Sequence, residues 1–318
     1  MEWPLLGRRR MLKLGAGLLG ATVLTSCAPA TKPTATNAVA NPAANPAANP
    51  AANPAANPAD PATETVDPAT ETVDPRPQVE VTSGSFVSGF RPGTSTGWSV
   101  AAPVPSGLAR QQKLPVAVFL HGTGSSNRFI FDFLGAQAVL QRHLADGGPP
   151  FAIASVDGGD TWWHARADGT DTQAMLLAEF IPLLASQGFD TGKLGLFGLS
   201  MGGLGVLLLA SQGKVSGLRG VAAMSPAVWS EYDGGLVGAF DGPEDFAAND
   251  VFALRPQLES LPKRIDCGTD DDLLPTVQAY VSALPGRIEG GFQPGGHDEE
   301  YWRSVLPDVV SFLGRQLG

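Results

Sequence analysis

The stretch Gly195-Leu196-Phe197-Gly198-Leu199-Ser200-Met201-Gly202-Gly203 decides how this chain folds. It contains the pattern Gly-x-Ser-x-Gly as Gly198, Leu199, Ser200, Met201 and Gly202. The pattern has a mechanical reading: a strand ends, the chain turns so sharply that only small neighbours fit, and a helix starts at once. Ser200 then stands at the apex, its hydroxyl exposed and a helix N-terminus beneath it. Such a short pattern also arises by chance, so its surroundings carry the weight.

Working outward, residues 194–197 predict the strand that feeds Ser200, and residues 203–211 the helix that follows it. Upstream, residues 115–120 and 151–156 are continuous apolar runs of the buried parallel type, the second stopped by Asp157-Gly158-Gly159. Between them, residues 129–144 carry apolar side chains at helical spacing. Asp171 or Thr172 caps a helix running to about Gln187, with a kink expected at Pro182. Before all of these, residues 86–90 and 98–102 predict an opening hairpin around Pro92-Gly93. Downstream come strands at 218–224, 264–267 and 287–292 and helices at 273–284 and 298–317. The pattern is weak over residues 226–262, which read as an insertion near the mouth of the site. Strands alternating with helices imply an α/β domain with a mainly parallel central sheet of about eight strands, covered by helices on both faces.

That domain occupies residues 81–318; what precedes it has a different composition. Arg8-Arg9-Arg10-Met11-Leu12-Lys13 resembles a twin-arginine export signal, and the apolar run after it is too short and glycine-rich for a comfortable membrane span. The run ends in Leu24-Thr25-Ser26-Cys27, which resembles a bacterial lipobox. That resemblance implies a signal peptide over residues 1–27 and a Cys27 that becomes the first mature residue and carries acyl chains. The protein is then exported and anchored on the outer face of the cytoplasmic membrane. An ordinary cleaved signal with an incidental cysteine, and a freely secreted product, is the alternative. Residues 28–80 read as a disordered linker. Asn-Pro-Ala-Ala recurs from Asn41, and Asp-Pro-Ala-Thr-Glu-Thr-Val occurs from Asp60 and again from Asp67. These repeats lack large apolar residues, so they cannot bury a core, and they form an extended spacer.

The formal net charge of −10 repels phosphate backbones, which argues against nucleic-acid binding. Only Cys27 and Cys267 are present, and lipidation of Cys27 leaves no partner for a disulfide. Cys267 lies in an apolar strand-like stretch and reads as a small buried hydrophobe. The reading calls for no cofactor and no metal.

Serine becomes a useful nucleophile when a base takes its proton and an acid holds that base in the right tautomer. Of the four histidines, only His297 follows Ser200, in the loop Pro294-Gly295-Gly296-His297 before the last helix. With Leu120-His121-Gly122, Gly198-Leu199-Ser200-Met201-Gly202-Gly203 and Gly295-Gly296-His297-Asp298 in this order, residues 83–318 resemble the α/β-hydrolase superfamily. Within it the similarity is to the esterase group that includes esterase D, feruloyl and acetyl-xylan esterases and mycolyltransferases. The resemblance implies a nucleophile, acid, base order along the chain, with His297 as the base. It also places an acid in Gly268-Thr269-Asp270-Asp271-Asp272, and the family register of Gly, two residues, then Asp selects Asp271; Asp270 and Asp272 stay open. Backbone N–H groups for an oxyanion are implied at Met201 and at Thr123, with Gly122 next in line. His121 is then left to hold the loop in shape.

Asp157-Gly158-Gly159-Asp160-Thr161-Trp162-Trp163-His164-Ala165-Arg166 resembles a stretch of secreted actinobacterial esterases and follows a strand at the carboxyl edge of the sheet, where ligands bind in open α/β folds. Trp162 and Trp163 are candidate walls for a substrate, and His164 and Arg166 candidate grips on a polar group; packing and structural ion pairs are the competing roles. The expected activity is hydrolysis of carboxylic esters, of a small molecule or of a cell-wall or plant polymer, through an acyl-enzyme. An acyltransferase using the same triad with a sugar hydroxyl in place of water is the first alternative. A non-catalytic surface lipoprotein is the second, disfavoured because Ser200, His297 and Asp271 are all intact.

Overall fold

The computed structural model describes residues 77–104, 113–233 and 238–318. The signal at residues 1–27, the lipidation site Cys27 and nearly all of the linker at residues 28–80 lie outside the described residues. Eight strands form one sheet: β1 (Val79–Val87), β2 (Ser95–Pro103), β3 (Pro115–Leu120), β4 (Ala152–Val156), β5 (Asp190–Leu199), β6 (Leu218–Met224), β7 (Lys263–Gly268) and β8 (Ile288–Gln293). Their spatial order is β1-β2-β4-β3-β5-β6-β7-β8. β1–β2 and β2–β4 pair antiparallel, and every pairing from β4–β3 to β7–β8 is parallel. This is the mostly parallel sheet of the α/β-hydrolase fold, with the antiparallel pairs at one edge.

Successive side chains of a strand point to opposite faces, and the two faces build separate cores. Val116, Val118 and Leu120 of β3 join one core, and Ala117 and Phe119 the other. The first core is closed by α3 (Thr172–Met175), α4 (Ile181–Ser186), α5 (Met201–Ser211) and α8 (Leu274–Ala283). The second is closed by α1 (Phe129–Asp132), α2 (Ala136–Ala145) and α9 (Glu299–Leu317). Every residue of α5 is buried, as its sequence requires: a helix that is apolar all round needs partners on every side. The sheet covers its inner side. Phe246, Val251 and Leu258 belong to the same core as Leu204, Leu207 and Leu208, so the weakly patterned stretch 226–262 supplies part of the outer cover. That stretch holds α6 (Pro243–Ala248), α7 (Val251–Leu254) and a 3₁₀ turn, Arg255–Leu258.

Most expected elements lie within two or three residues of their observed positions, and the exceptions have local causes. The hairpin forms, but its first strand is β1, earlier than expected, because most of β1 is exposed at the sheet edge and therefore reads as polar. The single helix expected over residues 129–144 is two, α1 and α2, separated at Gly135, whose φ of 70° is left-handed. The kink expected at Pro182 takes the form of a π-helical turn, Leu176–Phe180, between α3 and α4. Proline lacks an N–H and crowds the carbonyl four residues back, and a widened turn accommodates both. Asp171, rather than Thr172, is the cap: its carboxylate accepts from the Ala174 N–H at 2.9 Å.

Candidate active site

Ser200 sits between the last residue of β5 and the first of α5, with φ 53° and ψ −119°. A non-glycine residue held there costs on the order of 1–3 kcal/mol. The surroundings over-determine it: the Ser200 N–H donates to the Met224 carbonyl at 3.0 Å, and the Ser200 carbonyl accepts from the Ala227 N–H at 3.1 Å. The turn closes so tightly that a Cβ on Gly202 would lie 1.9 Å from the Leu120 carbonyl oxygen, and one on Gly198 would lie 2.6 Å from the backbone of Gly202. The sequence pattern is therefore a steric requirement of the crossing between β3, β5 and α5.

His297, in the loop between β8 and α9, places its Nε2 3.0 Å from the Ser200 hydroxyl and its Nδ1 2.9 Å from the Asp271 carboxylate. The three residues expected to act together are thus brought together in one hydrogen-bonded line. Asp271 is 4 % exposed, whereas Asp270 and Asp272 are exposed, so of the three adjacent aspartates only Asp271 turns inward. Its other oxygen accepts from the Leu273 N–H at 2.9 Å. Burial pushes this carboxyl up, but hydrogen bonds from Leu273, Ser225 and His297 together outweigh it and hold Asp271 below the usual carboxylate range. An anionic acceptor at Nδ1 leaves Nε2 free to accept the Ser200 proton.

Met201 opens α5, so its N–H has no partner within the helix. The loop after β3 lies against the same serine: a Cβ on Gly122 would be 3.4 Å from the Ser200 Cβ. Thr123 follows at the exposed side of that loop. The loop is braced by the segment after β4. The Gly124 N–H donates to Asp160 at 2.6 Å, and the Trp163 indole N–H donates to the His121 carbonyl at 3.1 Å. His121 is fully buried and accepts from the Gly158 N–H at Nε2, 2.9 Å away, while Nδ1 donates to the Gly122 carbonyl at 2.7 Å. Burial, the dominant influence, lowers its pKa and keeps the imidazole neutral, as this arrangement of one acceptor and one donor nitrogen needs. His121 shapes the loop.

The candidate substrate residues of 157–166 separate into different roles. Trp163 is fully buried beneath this brace, so it cannot wall a substrate. His164 is 1 % exposed and is spent on the carbonyls of Ala165 and Ala239, each at 2.9 Å. Arg166 is committed to Asp241, at 2.7 Å, and to the Gly238 carbonyl, at 2.7 Å. These two therefore tie the insertion to the post-β4 segment in place of gripping a substrate. Trp162 differs: it is half-buried, with its ring 5.6 Å from that of Trp229 in the insertion. Trp162 and Trp163 both have φ 60°, and it is the anchoring of Trp163 in the core that maintains this unfavourable pair of conformations. Sequence reasoning missed Asp160 and Trp229, and also Ser225 and Trp302: the Trp302 indole N–H donates to the Ser225 hydroxyl at 3.1 Å and its ring meets His297 edge-on at 5.0 Å. Asp160 carried a signal, a second aspartate directly after the glycine turn that stops β4, but the others required the fold.

The family model described as "Putative esterase" matches residues 92–313. No curated protein matches the chain at a significant level. Among solved structures, a ferulic acid esterase aligns with a TM-score of 0.65 at 22 % identity, covering 75 % of this chain and 99 % of its own. An S-formylglutathione hydrolase from Agrobacterium tumefaciens aligns with a TM-score of 0.62 at 15 % identity, covering 75 % and 95 %. The fluorophosphonate-binding serine hydrolase F of Staphylococcus aureus aligns with a TM-score of 0.59 at 16 % identity, covering 74 % and 99 %. At such identities these likenesses speak for the fold; the match to the family model, over most of the chain, goes further, and the chain belongs to this esterase family as a carboxylic-ester hydrolase.

Proposed function

We propose that the protein hydrolyses carboxylic esters by a Ser200-His297-Asp271 triad through an acyl-enzyme. The observation that carries this reading is the continuous line from the Ser200 hydroxyl to His297 at 3.0 Å and on to Asp271 at 2.9 Å. As the Ser200 oxygen attacks the ester carbonyl carbon, His297 Nε2 takes the hydroxyl proton and Asp271 stabilises the resulting imidazolium. The carbonyl oxygen gains a negative charge, received by the N–H groups of Met201 and Thr123. Collapse of this intermediate breaks the bond to the alcohol oxygen, which leaves with the proton from His297. Water, deprotonated by His297, then attacks the acyl-enzyme and releases the acid, and the proton returns to Ser200.

The kinship to esterases supports a small acyl ester, free or linked to a polymer, as substrate, with Trp162 and Trp229 forming an aromatic wall beside the site. Export and anchoring through Cys27 belong to the same proposal and rest on the sequence around Arg8-Arg9 and Leu24-Thr25-Ser26-Cys27 alone. A fluorophosphonate probe tests the nucleophile: the parent should label and Ser200→Ala should not. Equal labelling of both, or of neither, refutes the assignment. Cys27→Ala should release the protein from membranes, and continued membrane association would count against the anchor.

A further inference from the structure

The base stands in a loop that restrains it little. His297 follows Pro294-Gly295-Gly296, and its side chain is 34 % exposed. Two hydrogen bonds hold the ring, one at each nitrogen: the Ser200 hydroxyl is 3.0 Å from Nε2 and the Asp271 carboxylate 2.9 Å from Nδ1. Hydrogen bonds to an imidazole run along the directions of its ring nitrogens, so this pair leaves the ring free to tilt about the line joining them. One of the two is also interrupted during turnover. Once Ser200 is acylated its oxygen has no proton to donate, and Asp271 alone holds the ring by a hydrogen bond.

A further contact bears on the ring from the side. Trp302, in the first turn of α9, meets the His297 ring at an interplanar angle of 84°, with centroids 5.0 Å apart, a separation at which edge-to-face aromatic pairs attract. The indole is itself fixed. Trp302 is 7 % exposed, and its ring lies edge-on to Phe129 with centroids 6.3 Å apart. Its N–H, which can only donate, reaches the Ser225 hydroxyl at 3.1 Å. Ser225 is fully buried directly after β6, and its own N–H donates to the Asp266 carbonyl at 2.7 Å. Two residues on, the Ala227 N–H holds the Ser200 carbonyl at 3.1 Å. Trp302 therefore joins the base to the backbone that supports the nucleophile, by a route that does not pass through Asp271.

We infer that Trp302 is a positioning residue that keeps the His297 ring from tilting away from Ser200 while Ser200 is acylated. This inference rests on the reading of His297 as the triad base. During acylation the Ser200 hydroxyl helps to hold the ring, so loss of the indole should weigh more on the second half-reaction, in which His297 must deprotonate water.

The test follows p-nitrophenyl acetate by stopped flow and in steady state with the parent, Trp302→Leu and Trp302→Phe, each checked for folding by thermal melting. Trp302→Leu should slow deacylation by about ten- to a hundred-fold, the scale of a misplacement on the order of 1 Å. Acylation should slow less, so the p-nitrophenolate burst approaches one per site and KM falls together with kcat. Trp302→Phe keeps a ring but loses the anchor on Ser225; it should show a smaller change of the same kind, and it carries the test if the leucine protein does not fold. In a His297→Ala background neither substitution should cost anything further. Parent-like kcat and KM in the folded variants overturn the inference. So does a burst that shrinks in step with kcat at constant KM, or an equal loss in the His297→Ala background, since either assigns Trp302 a packing role. Full activity in His297→Ala alone instead overturns the triad reading, and the inference with it.

Discussion

At the scale of single residues, three adjacent aspartates differ only in which way they face. Asp271 is turned inward onto His297 while its neighbours are exposed, so Asp271→Asn should lower kcat by about 10⁴-fold, as losing the orienting acid of such a triad does. Asp270→Asn and Asp272→Asn should leave steady-state turnover of an aryl acetate near the parent value. The adjacent tryptophans separate in the same way. Trp163 is fully buried, and Trp163→Ala should cost about 3–5 kcal/mol in urea unfolding, as large aromatic truncations in cores do. Trp162→Ala should leave stability nearly unchanged and raise KM for aryl esters more than for short alkyl esters. Chain composition cannot separate these cases, because identical side chains stand side by side and differ only in the direction the backbone gives them.

At the scale of elements, the strand-turn-helix unit of β5 and α5 is the most constrained part of the molecule. A methyl group on Gly202 would meet the backbone carbonyl of Leu120 at 1.9 Å, with no flexible side chain to yield. Gly202→Ala should therefore abolish soluble expression or activity, whereas Gly135→Ala, with no atoms nearby but a φ of 70°, should cost only about 1–2 kcal/mol in thermal or urea unfolding. This elbow and the order of elements around it were legible in the sequence because they rest on close-range sterics and on the periods of helix and strand. Edge strand β1 was misplaced because its exposed residues carry no apolar alternation. The break at Gly135 passed unnoticed because helical spacing continues across it.

At the scale of the whole molecule, charge and burial set a pH response. His121 is buried and kept neutral, so its folded pKa lies below the ordinary value of 6.5. The unfolded chain then binds a proton near pH 6.5 that the native state refuses, and stability should fall as pH drops below that value. Asp271, held below 3.8, acts in the same direction at lower pH: its contribution is complete above the unfolded value and is lost as pH falls through the folded one. Urea midpoints should accordingly decline from pH 7.5 to pH 5.5, and a flat profile would show that the native His121 accepts the proton. The sequence by itself determined the α/β architecture and singled out Ser200 and His297 as the proposed nucleophile and base, because a tight turn admits only glycine and because one histidine alone follows the elbow. Only the tertiary structure decided which aspartate faces His297, that Trp163, His164 and Arg166 brace loops, and that Trp302 joins the Ser225 hydroxyl to the edge of the His297 ring. The hydrogen bonds responsible join residues 26, 77 and 97 positions apart in the chain, and such pairings exist only once the sheet has brought the ends of its strands to one edge.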